Sequence, residues 1–430
     1  MTHRDLSVSA LARVEGEGAL RLVVAGERIE QVELNIYEPP RFFEALLRGR
    51  RMDEPVDITA RICGICPVAY QMSACAAIED ACGVTVGPAI RDLRRLLYRG
   101  EWIESHALHV YLLHVPDFLG YDSALTLARE HRDVVERGLR LRKAGNALIT
   151  AIGGRDSHPV NVRLGGFYRA PTRPELEALR PLLEQGLDDA LTTVRLAATF
   201  DFPQLELDHE LVALHEPGAY PIDRGRLVST GGLDVPVQAF SEHVVEEQVG
   251  HSTALHARLV GHEGSYMVGP LARYVLASEA LSPLARDAAS RAGLSPDERN
   301  PYRSILVRGV ELVYAFEEAL RLLDAYAEPD PPCVEVTPRA GTGHGATEAP
   351  RGVLYHRYTI DDAGIIERAT IVPPTAQNQR ALELDLARFA ERHLHLDDEA
   401  LRWRLEQAIR NYDPCISCAT HFLDLTVERR

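Results

Sequence analysis

Four of the seven cysteines in this 430-residue chain form two Cys-x-x-Cys pairs, Cys63/Cys66 and Cys415/Cys418. Each pair sets two thiols about one turn apart. A single pair reads as a redox couple, a zinc half-site or chance. Two pairs supply a full tetrathiolate set, which only the fold can assemble across so wide a sequence gap. Cys66 stands directly before Pro67, a residue suited to the first position of a helix, and the positive end of that helix favours thiolate over thiol. Soft thiolates select nickel, zinc, copper(I) or iron–sulfur clusters. A closed zinc site would tie the two ends of the chain together, whereas nickel in thiolate would add redox chemistry. Spacing alone leaves both open. Cys75, Cys82 and Cys333 read as buried apolar packing, the first two on one face of a helix.

The elements that must position these thiols are mostly helical. Residues 5–37 alternate apolar and polar side chains and read as strands, and 39–50 as a short helix. A loop carries Cys63–Cys66, and a helix from Pro67 is stopped by Gly83. Residues 88–153 read as two long helices, the second from Ser123 to about Ile152. Two more are expected from Pro171 to about Thr199 and from Asn300 to about Ala327, giving a central bundle. Residues 201–275 are mixed, and 328–350 read as an irregular Pro/Gly-rich loop. Residues 352–372 form a hairpin around Asp362-Ala363-Gly364, and a last helix near 398–411 ends at Asp413-Pro414. The expected class is α+β, mainly helical, with β-structure from both chain ends, in one merged unit spanning 1–430.

A formal net charge of −16, from 47 basic and 63 acidic residues, does not suit a nucleic-acid binder, which needs clustered Lys and Arg. No apolar run is long enough to span a bilayer. The first residues lack a basic region followed by an apolar stretch, so a secretory signal is not expected and a cytoplasmic location is. Seven cysteines, an odd number in a long chain, do not describe a secreted disulfide framework.

The sequence around the cysteines narrows the metal. RICGIC at 61–66 and DPCISCATH at 413–421 resemble the paired signatures of nickel–iron hydrogenase large subunits. In the same order as in that family come RVEGEG (13–18), FFEALLRGR (42–50), SHALHVYLLHVPD (105–117), GGRDSHPVNVRLGG (153–166), EAPRGVLYH (348–356) and VPPTAQN (372–378). The resemblance spans the chain and is nearest the soluble, NAD(P)-linked and sulfhydrogenase-like group. Two positions depart from it: Tyr70 stands where many relatives carry His, and so does Glu17.

That resemblance implies a set of roles. Cys63 and Cys415 would be terminal nickel ligands. Cys66 and Cys418 would bridge nickel to an iron carrying carbon monoxide and cyanide. Arg351, otherwise readable as a solvated loop charge, would hang over the open metal position, with Asp117 and Asp413 holding it through bidentate carboxylates. Thr375 and the Pro350 segment would face a cyanide. Glu15, otherwise a strand-end surface carboxylate, would lie beside Cys418 and relay protons. Glu44 and His421 would bind magnesium, with Ile371 adding a backbone carbonyl.

The implied activity is reversible heterolytic oxidation of dihydrogen. The chain has too few spare cysteines to carry an iron–sulfur cluster, so electrons would leave through a small iron–sulfur subunit. They would pass to flavin and iron–sulfur diaphorase subunits and then to NAD(P), with polysulfide an open alternative. A maturation protease would remove residues 422–430 after His421, and nickel chaperones would load the site. The rival readings are a zinc-clamped scaffold, a hydrogen sensor, and the quinone-site subunit of respiratory complex I, which lacks the four cysteines present here.

Overall fold

The computed structural model describes residues 3–26, 28–38, 42–206, 208–261 and 264–420. The N-terminal alternation gives an antiparallel meander of three strands, His3–Val8, Gly18–Ala25 and Arg28–Ile36. Leu20, Leu22, Val24, Leu34 and Ile36 are buried on its inner face.

At the centre, helix Pro88–Leu108 packs along Arg132–Gly153 and along Ser304–Asp324, which in turn packs on Arg180–Ala197. Two of the expected long helices are broken. The one expected from Ser123 divides at His131 into Ala124–Glu130 and Arg132–Gly153, and the next divides into Arg173–Glu177 and Arg180–Ala197. After Leu108 the chain winds as a π-helix over His109–His114 and resumes as Val115–Leu119. Pro116 lies just beyond the π turn. Its ring cannot donate a hydrogen bond and would collide with the carbonyl four residues back, so a regular α-turn is disfavoured there.

The stretch expected as a loop at 328–350 holds a strand, Gly341–Ala349, in an antiparallel sheet with Gly352–Ile360 and Ile366–Val372. Its glycines mislead a reading by propensity, because they serve close approach. The strand lies on helix Pro67–Cys82, where a Cβ at Gly343 would stand 2.0 Å from the Ala77 carbonyl oxygen and one at Gly345 2.5 Å from that of Ser73. The hairpin turn at Asp361–Gly364 forms as expected. Residues 210–268 supply a four-stranded sheet and a separate hairpin, Val244–Gln248 with Leu255–Leu259.

β-structure does not continue to the C-terminal end of the described residues. Helices Pro374–Arg392, Asp398–Arg410 and the short Ile416–Ala419 follow the last strand. The first of these had no place in the sequence reading. Its apolar face is shared between the N-terminal sheet and the Leu255–Leu259 hairpin, so neither neighbour is near in sequence. Among the described residues, no helix is long and apolar enough to cross a membrane. Gly343→Ala is expected to cost about 1–3 kcal/mol through overpacking against Ala77, read as a lower urea midpoint with an unchanged slope.

Candidate metal centre

The first cysteine pair is presented by a short 3-10 turn, Ala60–Ile62, and by the start of helix Pro67–Cys82. Cys63 Sγ accepts the backbone N–H groups of Ile65 at 3.3 Å and Cys66 at 3.2 Å. The helix start is capped from another element: the Glu101 carboxyl accepts Val68 N–H at 2.6 Å and Ala69 N–H at 3.0 Å. Burial, opposed by these two N–H groups, pushes the Glu101 carboxyl well above the usual range.

The second pair is fixed by residues from far along the chain. Glu15 pairs with Cys415 as a parallel bridge, its carbonyl accepting Ile416 N–H at 3.0 Å. Its carboxylate accepts Ser417 N–H at 3.0 Å and the Cys415 thiol at 3.1 Å. Thr375 Oγ1 accepts Cys415 N–H at 3.1 Å, and the Ser417 hydroxyl donates to Glu38 at 2.9 Å. Gly16 allows this contact, since a Cβ there would stand 2.7 Å from Ile416 Cβ.

These supports bring all four buried thiols together. Cys63 Sγ lies 3.4 Å from Cys415 Sγ, Cys66 Sγ 3.8 Å from Cys418 Sγ, and Cys415 Sγ 2.9 Å from Cys418 Sγ. Two thiolates on a tetrahedral metal with bonds of about 2.3 Å stand roughly 3.8 Å apart; Cys66 and Cys418 match this, and the other two pairs, at 3.4 and 2.9 Å, would open slightly around a soft metal. None of the four forms a disulfide. Burial pushes Cys66, Cys415 and Cys418 up. At Cys63 burial is outweighed by hydrogen bonds from the other three thiols and by the Arg351 charge, so its pKa falls well below the usual thiol range.

Arg351 is buried. Its Nε donates to the Asp413 backbone carbonyl at 2.8 Å and its Nη2 to Asp413 Oδ1 at 3.1 Å. Nη1 has no hydrogen-bond partner, and neither has Asp413 Oδ2. Burial opposes the guanidinium charge, but Asp413 and then Cys415, Cys66 and Cys63 outweigh it and raise its pKa further. The expected bidentate carboxylate grip is therefore corrected to one carboxylate oxygen plus a carbonyl, for which Asp413 adopts a left-handed φ of 50°.

Asp117 is not a partner of Arg351. It binds Arg410 in bidentate fashion, at 2.7 and 2.9 Å, and also takes Arg13 Nη2. Glu15 stands at the second pair, with its carboxylate on the Cys415 thiol, whose sulfur lies 2.9 Å from that of Cys418. The Asp117 error has a plain cause, since the sequence names a carboxylate near a motif but not which neighbour its rotamer faces.

The turn at Pro350–Arg351 is held by a residue that sequence reasoning missed. Arg273 donates to Glu311 at 2.9 Å through Nε and Nη2, to Glu348 at 3.0 Å, to the Ala349 carbonyl at 2.8 Å and to the Pro350 carbonyl at 2.9 Å. No local signal marks Arg273. Glu101 had one, a carboxylate among buried positions of a long helix. Tyr70 is buried with its ring 5.6 Å from that of His356, and burial, then Cys418, Cys66 and Cys63, push its phenol well above 10.

Glu44 and Ile371 are neighbours, but the contact is Ile371 N–H to Glu44 Oε1 at 2.7 Å. Burial pushes the Glu44 carboxyl up to about 7, and burial followed by Glu44 pushes Glu246 to about 8. Two such carboxyls are a donor set that a hard cation fits. His421 and the tail 422–430 lie outside the described residues.

Fold and site together match one class of protein. A family model described as nickel-dependent hydrogenase matches residues 41–136 and 263–421, and the chain belongs to this family as the catalytic large subunit of a nickel–iron hydrogenase. It is an oxidoreductase acting on hydrogen. It is 34% identical to Sulfhydrogenase 1 subunit alpha of Pyrococcus furiosus over 98% of both chains. It is 30% identical to the NAD-reducing hydrogenase HoxS subunit beta of Cupriavidus necator, over 98% of this chain and 95% of that one. It resembles a solved NAD+-reducing [NiFe]-hydrogenase in the H2-reduced state, with a TM-score of 0.87, 26% identity and coverage of 97% of this chain and 99% of the other.

Asp117→Ala would strip buried Arg410 of its bidentate carboxylate and leave it only that of Glu406, at 3.6 Å. It is expected to cost about 3–5 kcal/mol in denaturant unfolding.

Proposed function

We propose that this subunit oxidises dihydrogen reversibly and passes the electrons to a small iron–sulfur subunit, then through flavin and iron–sulfur diaphorase subunits to NAD(P). The observation that carries the site reading is the set of four buried thiols under a guanidinium with one unpartnered nitrogen. When bound, nickel and an iron carrying carbon monoxide and cyanide supply the Lewis acidity and redox change that split dihydrogen into protons and electrons. Cys63 and Cys415 would hold nickel, and Cys66 and Cys418 would serve both nickel and iron.

Around the metals, the chain's own residues handle charge and protons. Arg351, gripped on one side by Asp413, keeps Nη1 free to polarise the substrate. Glu15 takes the proton from the Cys415 sulfur, 3.1 Å away, and passes it outward. Thr375 accepts Cys415 N–H with its oxygen, so its own O–H is free to donate to an anionic cyanide. The Pro350 carbonyl, taken by Arg273, sets the position of that loop. Glu44, with Glu246 beside it, His421 and the Ile371 segment would hold magnesium.

The NAD-reducing relative favours NAD(P) as acceptor. The more similar sulfhydrogenase favours a second reading, a sulfur acceptor such as polysulfide. A maturation protease acting after His421, together with nickel chaperones, completes the site.

The assembled complex should consume hydrogen with NAD+ or NADP+; consumption with polysulfide alone would select the second reading. Cys415→Ser should lose nickel by metal analysis, and a fully loaded, active variant would remove the site assignment. Arg351→Lys should keep both metals yet lower turnover by roughly 100-fold, because an ammonium is not a planar fork. Glu15→Gln should slow hydrogen–deuterium exchange while the metals are still reduced by hydrogen; an unchanged exchange rate would take Glu15 out of the proton path. Mass spectrometry of nickel-loaded enzyme should find His421 as the last residue, and active protein ending at Arg430 would refute the cleavage.

A further inference from the structure

Away from the four cysteines, the fold gathers a second set of metal-binding side chains. His251 lies in the loop of the Val244–Gln248/Leu255–Leu259 hairpin, His256 on its second strand, and Glu383 on helix Pro374–Arg392. One ring nitrogen of each histidine and one Glu383 oxygen lie within 4.8 Å of one another. His251 Nε2 is 2.7 Å from Glu383 Oε1, which also accepts Leu34 N–H at 2.8 Å. That leaves Oε2 facing His256 Nδ1 at 4.0 Å, beyond hydrogen-bond reach but spannable by an ion.

His256 is 7% exposed, and its Nε2 has no hydrogen-bond partner. A buried imidazole with an unpartnered nitrogen is costly, and the nitrogen that faces Glu383 is the other one, Nδ1. Burial, and then His251, push His256 down to about 4. Arg380 also lowers it, and Glu247 acts the other way.

We propose that His251, His256 and Glu383 form a second metal site, for a divalent first-row transition ion of zinc's class. Two neutral imidazoles and one carboxylate are a borderline donor set that suits zinc better than magnesium or calcium. Three donors around a tetrahedral ion stand roughly 3.4 Å apart, so closure moves the side chains by about 1 Å. His251 sits in a half-buried loop, and its partial exposure leaves the remaining positions to water.

The site is structural and lies behind the hydrogen-splitting centre. Thr253, two residues beyond His251, donates through its hydroxyl to the Ile36 and Glu38 carbonyls at 2.9 and 2.8 Å. Ala254 packs with Ile36, Ala376, Ile416 and Ala419. An ion here fastens the hairpin and the N-terminal sheet to the helix whose first turn carries Thr375. It steadies the layer under the second cysteine pair without touching the reacting atoms.

The test uses the full chain in its nickel-loaded assembly, so that the cysteines are occupied. After treatment with EDTA it is titrated with zinc(II) alone. One further zinc per chain is expected, with an X-ray absorption spectrum of nitrogen and oxygen ligands, two of them imidazole. Removing an outer partner of a metal ligand costs about 10–100-fold in affinity. Removing a ligand in His251→Gln or Glu383→Gln should therefore weaken zinc binding by about 100-fold or more, with nickel content and hydrogen oxidation unchanged. Zinc should raise the melting temperature of the parent assembly but not of His251→Gln, a change in a half-buried loop that keeps folding readable. No zinc uptake, equal uptake by the variants, or sulfur among the zinc ligands would overturn the proposal.

Discussion

The fold depends on one clasp, the seating of the Cys415–Cys418 turn on Glu15. A backbone carbonyl and a carboxylate of a single residue take the Ile416 and Ser417 N–H groups and the Cys415 thiol. Cys415 lies 352 residues from Cys63, so no local preference holds the two pairs together. Closing so long a loop costs entropy, and the N-terminal sheet and the helices between must offset it by burying apolar surface. The clasp turns that packing into a defined position for two sulfurs.

Charge is the second constraint. Thiolates held a few ångströms apart repel one another, and in a buried site little water screens them. Arg351 answers this with a guanidinium that Asp413 only partly satisfies, leaving one nitrogen directed elsewhere. Its loop is held by Arg273, which spends all its donors on Glu311, Glu348 and two carbonyls of the same turn. Buried ion networks of this kind add little net stability over apolar packing, but removing one member is severe. Here the network fixes where a backbone turn sits.

Much of this was legible in the residues. The Cys-x-x-Cys spacing, Pro67 after Cys66 and Gly83 at the helix end specified a thiol pair at a helix start, and that element formed as read. The N-terminal alternation gave its strands, and Asp362–Gly364 its turn. Elements failed where a rule of composition met a tertiary demand. Gly341–Ala349 looks like a loop because it is rich in glycine, yet those glycines let the strand lie directly on a helix. The π turn at His109–His114 reflects Pro116 acting back on the preceding turn. Helix Pro374–Arg392 was missed because its buried face is divided between partners distant in sequence.

The sequence by itself determined the chemistry available: four thiols in two spaced pairs, an arginine in a Pro-Arg-Gly turn, Glu15 in RVEGEG and Glu44 in FFEALLRGR. Such features follow from residue type and short-range spacing, which covalent geometry fixes. Only the tertiary structure decided who faces whom. It gave Asp117 to Arg410, Asp413 to Arg351 and Glu15 to Cys415, and it brought Glu383 to the hairpin that carries His251 and His256. Those pairings turn on rotamers and on approaches between distant segments, set by the whole packed core and encoded in no short stretch of chain.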